Sequence, residues 1–319
     1  MSVSPRKHLL QALLPILILV ATLAAARPCF SQAPSGGSNM TLIIAVTDDK
    51  GRYVGGLPRS AFTITEDRNQ LEITSFRSDD GALSIAVLFD TSASMGGLRK
   101  EGMAVVKNAL ADMASQSHPA NEYLLMSFSK ETQVLMDWTT GAKGFTDALS
   151  KLPVSGKASK GTTAFNDACL LALEKLAPRS TQRHVLLVIS DGLDTDSRHS
   201  FKELRETLKR AETLFYAVAF PSMSSETGAL RLEGQAVLND LASRTGGKAI
   251  FPVDMADMYI GFEQVGLELR HQYSVGIKPG IAPGEAGKWH ALKVKVAPLR
   301  VNGKDVKLFA RTREGYYAP

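Results

Sequence analysis

This 319-residue chain predicts an α/β fold: a doubly wound, Rossmann-like, mostly parallel sheet with a small flanking β subdomain. Three observations carry that expectation. From residue 83 to about 271, short apolar runs alternate with amphipathic helical patterns, the rhythm of a parallel sheet covered by helices on both faces. Segments 39–80 and 272–319 on either side alternate apolar and polar residues with the period of half-buried strands. Clusters of Asp, Ser, Thr and Gly close the apolar runs, where open α/β sheets bind their ligands.

The elements follow in order. The first 33 residues read as an export signal: Arg6-Lys7-His8 is a basic start, Leu9 to Leu23 is apolar, and Ala24-Ala25-Ala26 offers small residues for cleavage. An uncleaved membrane anchor is the competing reading, weakened by Gln11 and Pro15 within the apolar stretch. After the linker Ser35 to Ser38, strands are expected at Thr41 to Val46, Phe62 to Glu66 and Leu71 to Phe76, with a turn at Asp48 to Gly51. Leu83 to Phe89 is a buried central strand, and Met103, Val106, Leu110 and Met113 fall at helical spacing. Tyr123 to Phe128 and Gln133 to Met136 are strands close enough to pair. Ala164 to Leu176 reads as a helix and Val185 to Ile189 as a second buried strand. Helix at Phe201 to Ala211, strand at Leu214 to Ala219, helix around Leu238 to Ala242, strand at Ala249 to Phe251 and helix at Ile260 to Leu269 complete the unit. The tail is β again: Gln272 to Ile277 and Trp289 to Val296 alternate as strands do, and Lys307 to Arg311 precedes the Gly315-Tyr316-Tyr317 ending. Because two β segments flank the α/β unit, they are expected to pair into one small sheet or sandwich.

Three polar segments stand out. Asp90-Thr91-Ser92-Ala93-Ser94 follows the first central strand, Gly161-Thr162-Thr163 precedes a helix, and Ser190-Asp191-Gly192 follows the second buried strand. Taken singly, such residues cap helices and close loops. Together at one sheet edge, carboxylates and hydroxyls are hard oxygen donors, suited to magnesium or manganese rather than zinc.

In order and spacing, these segments resemble the metal-ion-dependent adhesion site of von Willebrand factor A domains. The resemblance implies that Asp90, Ser92, Ser94, Thr163 and Asp191 hold a divalent cation, Mg2+ or Mn2+. Thr163 matches better than Thr162, since Gly161 to Phe165 sits where the family often has Gly-Gly-Thr-Ala-Leu. In the family the hydroxyls bind the ion directly or nearly so and the aspartates often act through water. The ion is thus left under-neutralised, with a position that an acidic side chain of a partner protein completes. The segment from Gly51-Arg52-Tyr53-Val54-Gly55-Gly56-Leu57 to Asp67, and the Gly315-Tyr316-Tyr317 ending, are similar to a group of bacterial exported proteins related to von Willebrand factor A. The implied organisation is a signal or anchor at 1–33, a β segment at 39–80, an A domain at 83–271 and a C-terminal β segment at 272–319. The implied function is non-enzymatic: an exported adhesion or assembly module, in the periplasm, at the cell surface or secreted, with membrane association only through its N-terminal segment. Loops around Gly96-Gly97, Gly161 and Pro221 to Glu226 are expected to shape the partner surface.

Composition supports a packed domain and no nucleic-acid partner. Hydrophobic residues make up 44% of the chain, enough for a sizeable core. The net charge is +5, but Arg6, Lys7 and Arg27 lie in the acid-free first segment, and no basic run is interleaved with aromatics. Cys29 and Cys169 are the two cysteines; Cys169 lies in an apolar helical run and reads as a small core residue. A phosphatase using Asp90 as nucleophile would need an acid two residues on, where Ser92 stands. Gly156 to Thr163 has the glycine spacing of a phosphate-binding loop but Thr162 in place of its lysine. No Gly-x-Ser-x-Gly elbow is present. His118, His184, His199, His271 and His290 lack metal-ligand spacing and read mostly as surface residues. Asp194 and Asp196 read as acids in a solvated loop before a helix rather than as a second cation site. A structural envelope scaffold whose metal only staples the fold would use the same five residues.

Overall fold

The computed structural model describes residues 39–78, 81–92, 100–152, 162–181, 183–220, 228–280, 284–301 and 303–318, all within one compact unit. The expected signal at 1–33 and Cys29 lie outside them.

Chain order begins with β1 (Met40–Thr47), β2 (Phe62–Glu66), β3 (Asn69–Gln70) and β4 (Ile73–Arg77). The α/β unit runs β5 (Ser84–Asp90), α1 (Lys100–Ser115), β6 (Glu122–Phe128), β7 (Thr132–Thr140), α2 (Ala142–Ala148), α3 (Phe165–Leu176), β8 (His184–Ile189), α4 (Phe201–Arg210), β9 (Thr213–Val218), α5 (Gly228–Thr245), β10 (Ala249–Ile250) and α6 (Met255–Arg270). It ends with β11 (Tyr273–Ile277), β12 (Trp289–Val296), β13 (Leu299–Val301), β14 (Lys304–Val306), β15 (Phe309–Arg311) and β16 (Gly315–Tyr317).

The central sheet has the order β10-β9-β8-β5-β6-β7, parallel throughout except for the antiparallel β6–β7 pair. Every residue of β5 is buried, as a strand covered on both faces must be, which explains its near-continuous apolar run. Its side chains alternate between two cores. Ile85, Val87 and Phe89 pack with Met103, Val106 and Leu110 of α1, Phe145 of α2, and Phe262 and Val265 of α6. Ala86 and Leu88 face Phe165, Ala168 and Cys169 of α3, Leu204 and Leu208 of α4, and Leu238 and Leu241 of α5. Each fully buried Leu, Val or Phe contributes about 1.5–3 kcal/mol, so these two cores dominate the stability of the unit.

The flanking segments do pair, and they make a sandwich. One antiparallel sheet has the order β15-β1-β11-β4 and the other β16-β12-β2-β3, so each mixes strands from both ends of the chain. Leu42, Ile44, Ile64, Tyr273, Val275 and Leu292 fill the space between. Phe62 of one sheet stacks at 4.9 Å on Tyr273 and at 5.2 Å on Phe76 of the other, in tilted geometry.

A buried polar cluster joins this sandwich to the α/β unit. The carboxylate of Glu268 near the end of α6 is fully buried and accepts hydrogen bonds from Tyr53 (2.6 Å), from Tyr216 of β9 and from the guanidinium of Arg311 on β15. Gln272 donates to the Tyr216 hydroxyl at 2.8 Å and accepts from Arg183 at 2.9 Å.

Three details depart from expectation. Asp90 is the last residue of β5 and not the first of the loop. Helix α2 and the β13–β14 ribbon are additional elements. His290 is buried on β12, stacked at 5.5 Å on Tyr316 with its Nδ1 2.9 Å from Asp67, because strand alternation turns it inward. Among the described residues no helix is long and apolar enough to cross a membrane.

Candidate metal site

Parallel strands β5 and β8 are neighbours, so their carboxyl ends, Asp90 and Ser190-Asp191, meet at one edge of the sheet. Asp90 is completely buried there. One of its carboxylate oxygens accepts the backbone N–H of Ser92 at 2.8 Å, and the other accepts the Ser190 hydroxyl at 2.7 Å. The Ser190 oxygen in turn accepts the N–H of Gly192 at 3.1 Å. The Asp90 pKa is pushed up to about 7, chiefly by burial and next by the charge of Asp191, with the Ser190 and Ser92 hydrogen bonds opposing the rise.

Asp191 uses one carboxylate oxygen to accept the N–H of Leu193 at 3.0 Å. Its other oxygen, Oδ2, is buried and has no hydrogen-bond partner among the described residues. A buried carboxylate oxygen without a donor is costly, and a second carboxylate nearby makes it costlier. No ammonium or guanidinium among the described residues forms an ion pair with either group. That is the electrostatic signature of a cradle for a cation.

Thr163 is buried and held by its own backbone. Its N–H donates to the Thr195 hydroxyl at 2.8 Å, and its carbonyl accepts the N–H groups of Thr195 and Asp196 at 2.8 and 3.1 Å. The next residue, Ala164, donates to the carbonyl of Ser129 at 2.7 Å, just past the end of β6. Because β6 neighbours β5, this contact brings Thr163 to the same sheet edge as Asp90. Ser92 is buried at that edge too. Four of the five expected residues are thus gathered at one edge. Ser94, Gly96-Gly97, Gly156 to Gly161 and Pro221 to Glu226 lie outside the described residues.

Asp194 fills a role that sequence reasoning missed. Its carboxylate accepts the N–H of Asn166 at 3.2 Å in the first turn of α3 and those of Asp196 and Ser197 at 3.2 and 3.0 Å. Asp167 replies from the helix, accepting the N–H groups of Arg198 and His199 at 3.0 Å each. The 194–199 loop is therefore clamped onto the N-terminus of α3, where carboxylates are favoured, and it carries Thr163 with it. Among the described residues no three His, Cys, Asp or Glu side chains cluster for a metal.

Gly234, inside α5, is the other missed contributor. A Cβ there would lie 2.1 Å from the Asp191 carbonyl oxygen, and one on Gly192 (φ 83°) would lie 2.6 Å from the Gly234 carbonyl. A glycine in a helix interior costs about 1 kcal/mol against alanine, and that cost was the legible signal of a close approach. Gly234→Ala is expected to destabilise the fold by about 1–3 kcal/mol and to weaken cation binding by displacing the Asp191 loop. Denaturant unfolding together with a magnesium titration checks both effects.

A mostly parallel six-stranded sheet with helices on both faces and an Asp/Ser/Thr edge is the build of a von Willebrand factor A-type domain, and residues 85–193 match the family described as von Willebrand factor type A domain. The chain carries such a domain. Among solved structures, it resembles proximal thread matrix protein 1 from the mussel byssus, whose structure has a zinc-occupied MIDAS motif (15% identity, TM-score 0.52, 64% of this chain and 49% of that one). It also resembles a von Willebrand factor type A protein from Catenulispora acidiphila (9%, 0.48, 88% and 75%) and an aerotolerance-related membrane protein from Bacteroides fragilis (15%, 0.45, 59% and 98%). At these identities the likeness is one of fold, and the chain spans about half the length of the mussel protein chains it matches. A comparison with curated proteins gives no match.

Proposed function

We propose that residues 83–271 are a metal-dependent protein-binding module, mounted on the sandwich of segments 39–80 and 272–319 and exported by the first 33 residues. Asp90, Ser92, Ser94, Thr163 and Asp191 hold the ion. The observation that supports this reading most is the pair of carboxylates at the β5 and β8 ends, with Asp191 Oδ2 buried and unpartnered among the described residues. The mussel protein holds zinc at its motif; here the all-oxygen donor set favours Mg2+ or Mn2+. When bound, the cation supplies an open coordination position for an acidic side chain of the partner. The chain's own residues do the rest. Ser190 and the Ser92 N–H orient Asp90, while Thr195, Asp194 and Asp167 fix the loop that presents Thr163. None of this breaks a covalent bond, and the module is proposed to be non-enzymatic.

Ser92→Ala and Asp191→Ala are each expected to weaken magnesium binding at least about tenfold, the loss seen even for groups that only orient a ligand. Capture from bacterial envelope extract on the immobilised protein, in magnesium and in EDTA, tests the partner. A protein retained only with magnesium, and lost with Ser92→Ala, is the expected result. Equal retention under all conditions with the fold intact would sink the bridging mechanism, and chelation that melts the fold would make the ion a staple.

A further inference from the structure

The opposite edge of the sheet carries a second polar feature. Residues 209–213 end α4 and lead into β9, and there they meet the sandwich across a cleft of about 290 Å³. Lys209, Arg210 and Arg313 line it, facing one carboxylate, that of the exposed Glu212. Lys209 is already paired with Glu206 at 2.8 Å, which leaves two guanidinium groups against one acid. Arg313 spends Nε on the Gly315 carbonyl (2.8 Å) and Nη2 on the Lys209 carbonyl (2.6 Å) at the end of α4. Its Nη1 has no hydrogen-bond partner among the described residues, and no carboxylate there lies within ion-pair distance of it. Arg210 is exposed and lies 4.3 Å over the Tyr317 ring. The exposed, polar Asn39 stands at the cleft as well, and the buried part of its wall is built by Met40, Pro279, Tyr316 and Ala318.

We infer that this cleft is a binding site for a small organic monoanion, a carboxylate with a compact apolar body. The one uncompensated positive charge sets the charge of the ligand. The single free N–H face of Arg313 and the mobile-length side chain of Arg210 suit two carboxylate oxygens reached from two sides. The apolar wall takes the body, and the volume suits a small molecule and excludes a folded segment. Burial holds the Arg313 pKa below its ordinary value, a cost that an anion at Nη1 offsets.

Benzoate is the probe, with benzamide as its neutral isostere. The full chain is titrated in EDTA, so that the proposed metal site contributes no carboxylate binding. The readout is the indole N–H resonance of Trp289, whose ring lies 5.1 Å from Tyr317, assigned with Trp138→Phe. Benzoate is expected to shift it saturably in the millimolar range while benzamide leaves it in place, and Arg210→Ala should weaken binding about tenfold. Arg313→Met should abolish it, with circular dichroism confirming the fold. Equal binding of benzamide, an unchanged affinity in Arg210→Ala, or no saturable shift would each overturn the assignment.

Discussion

Stripped of divalent cations, the protein is expected to lose stability as the pH rises from about 4 to about 8, and magnesium is expected to abolish that loss. The cause is Asp90, completely buried, with a pKa raised from 3.8 to about 7 by burial and by the neighbouring Asp191 charge. Well below 3.8 the carboxyl is protonated both folded and unfolded, and its contribution is whole. Between those values the unfolded chain has released the proton while the folded one still holds it. Folding therefore becomes less favourable with each pH unit, by about 1.4 kcal/mol, until the folded group also ionises near 7. The full loss is about 4 kcal/mol. Other carboxylates work in the opposite sense: Glu122, held below its usual pKa by the Arg179 guanidinium, loses its contribution in acid. The informative quantity is thus the difference between the native protein and Asp90→Asn, which keeps the shape, accepts the Ser92 N–H with its amide oxygen and donates its amide N–H to the Ser190 oxygen. In EDTA the variant should lack the downward slope and be the more stable of the two at pH 8. In magnesium the native protein should recover that loss, gaining about 4.1 kcal/mol at a thousandfold excess over Kd. Denaturant midpoints between pH 4.5 and 8.5 decide the matter, and parallel profiles for the two proteins would remove Asp90 as the origin.

Much of this was legible because parallel sheets bury both faces of their strands. Val87, Leu88 and Phe89 announce β5 by composition alone, and the helices announce themselves by the spacing of Met103, Val106 and Leu110 or of Leu204 and Leu208. Asp90, Ser92, Thr163 and Asp191 stood out as polar residues at the ends of such elements, and the sheet edge does gather them. What stayed hidden depends on contacts distant in sequence. The clamp between Asp194 and the first turn of α3 spans 28 residues, and an aspartate in a polar loop looks the same whether it caps a helix or faces water. Gly234 packs on a loop more than 40 residues away, so only the helix-breaking cost of a glycine hinted at its purpose. His290 followed the same pattern, since one place along β12 decides whether a histidine is solvated or buried against Tyr316.

Glu268→Ala is expected to be the most damaging single change outside the cores, costing about 3–5 kcal/mol. The carboxylate is fully buried, and its removal strands the Arg311 guanidinium and the hydroxyls of Tyr53 and Tyr216 at once. No member of that set belongs to the same strand or helix as another: Tyr53 follows β1, Tyr216 sits on β9, Glu268 on α6 and Arg311 on β15. The cluster therefore ties both ends of the chain to the sheet, and its loss should be felt by the sandwich and the α/β unit together. A paired buried charge is not stabilising merely by being paired, because desolvation offsets most of the attraction. Its penalty appears when one partner is removed, so Glu268→Leu combined with Arg311→Met should cost less than the two single changes added together. The expected coupling is 1–3 kcal/mol, read from a double-mutant cycle in denaturant. Additive losses would mean that Glu268 and Arg311 act independently, and that the tie between sandwich and sheet rests on apolar contact and on the bond from the Arg311 guanidinium Nη1 to the Gly247 carbonyl at 2.9 Å.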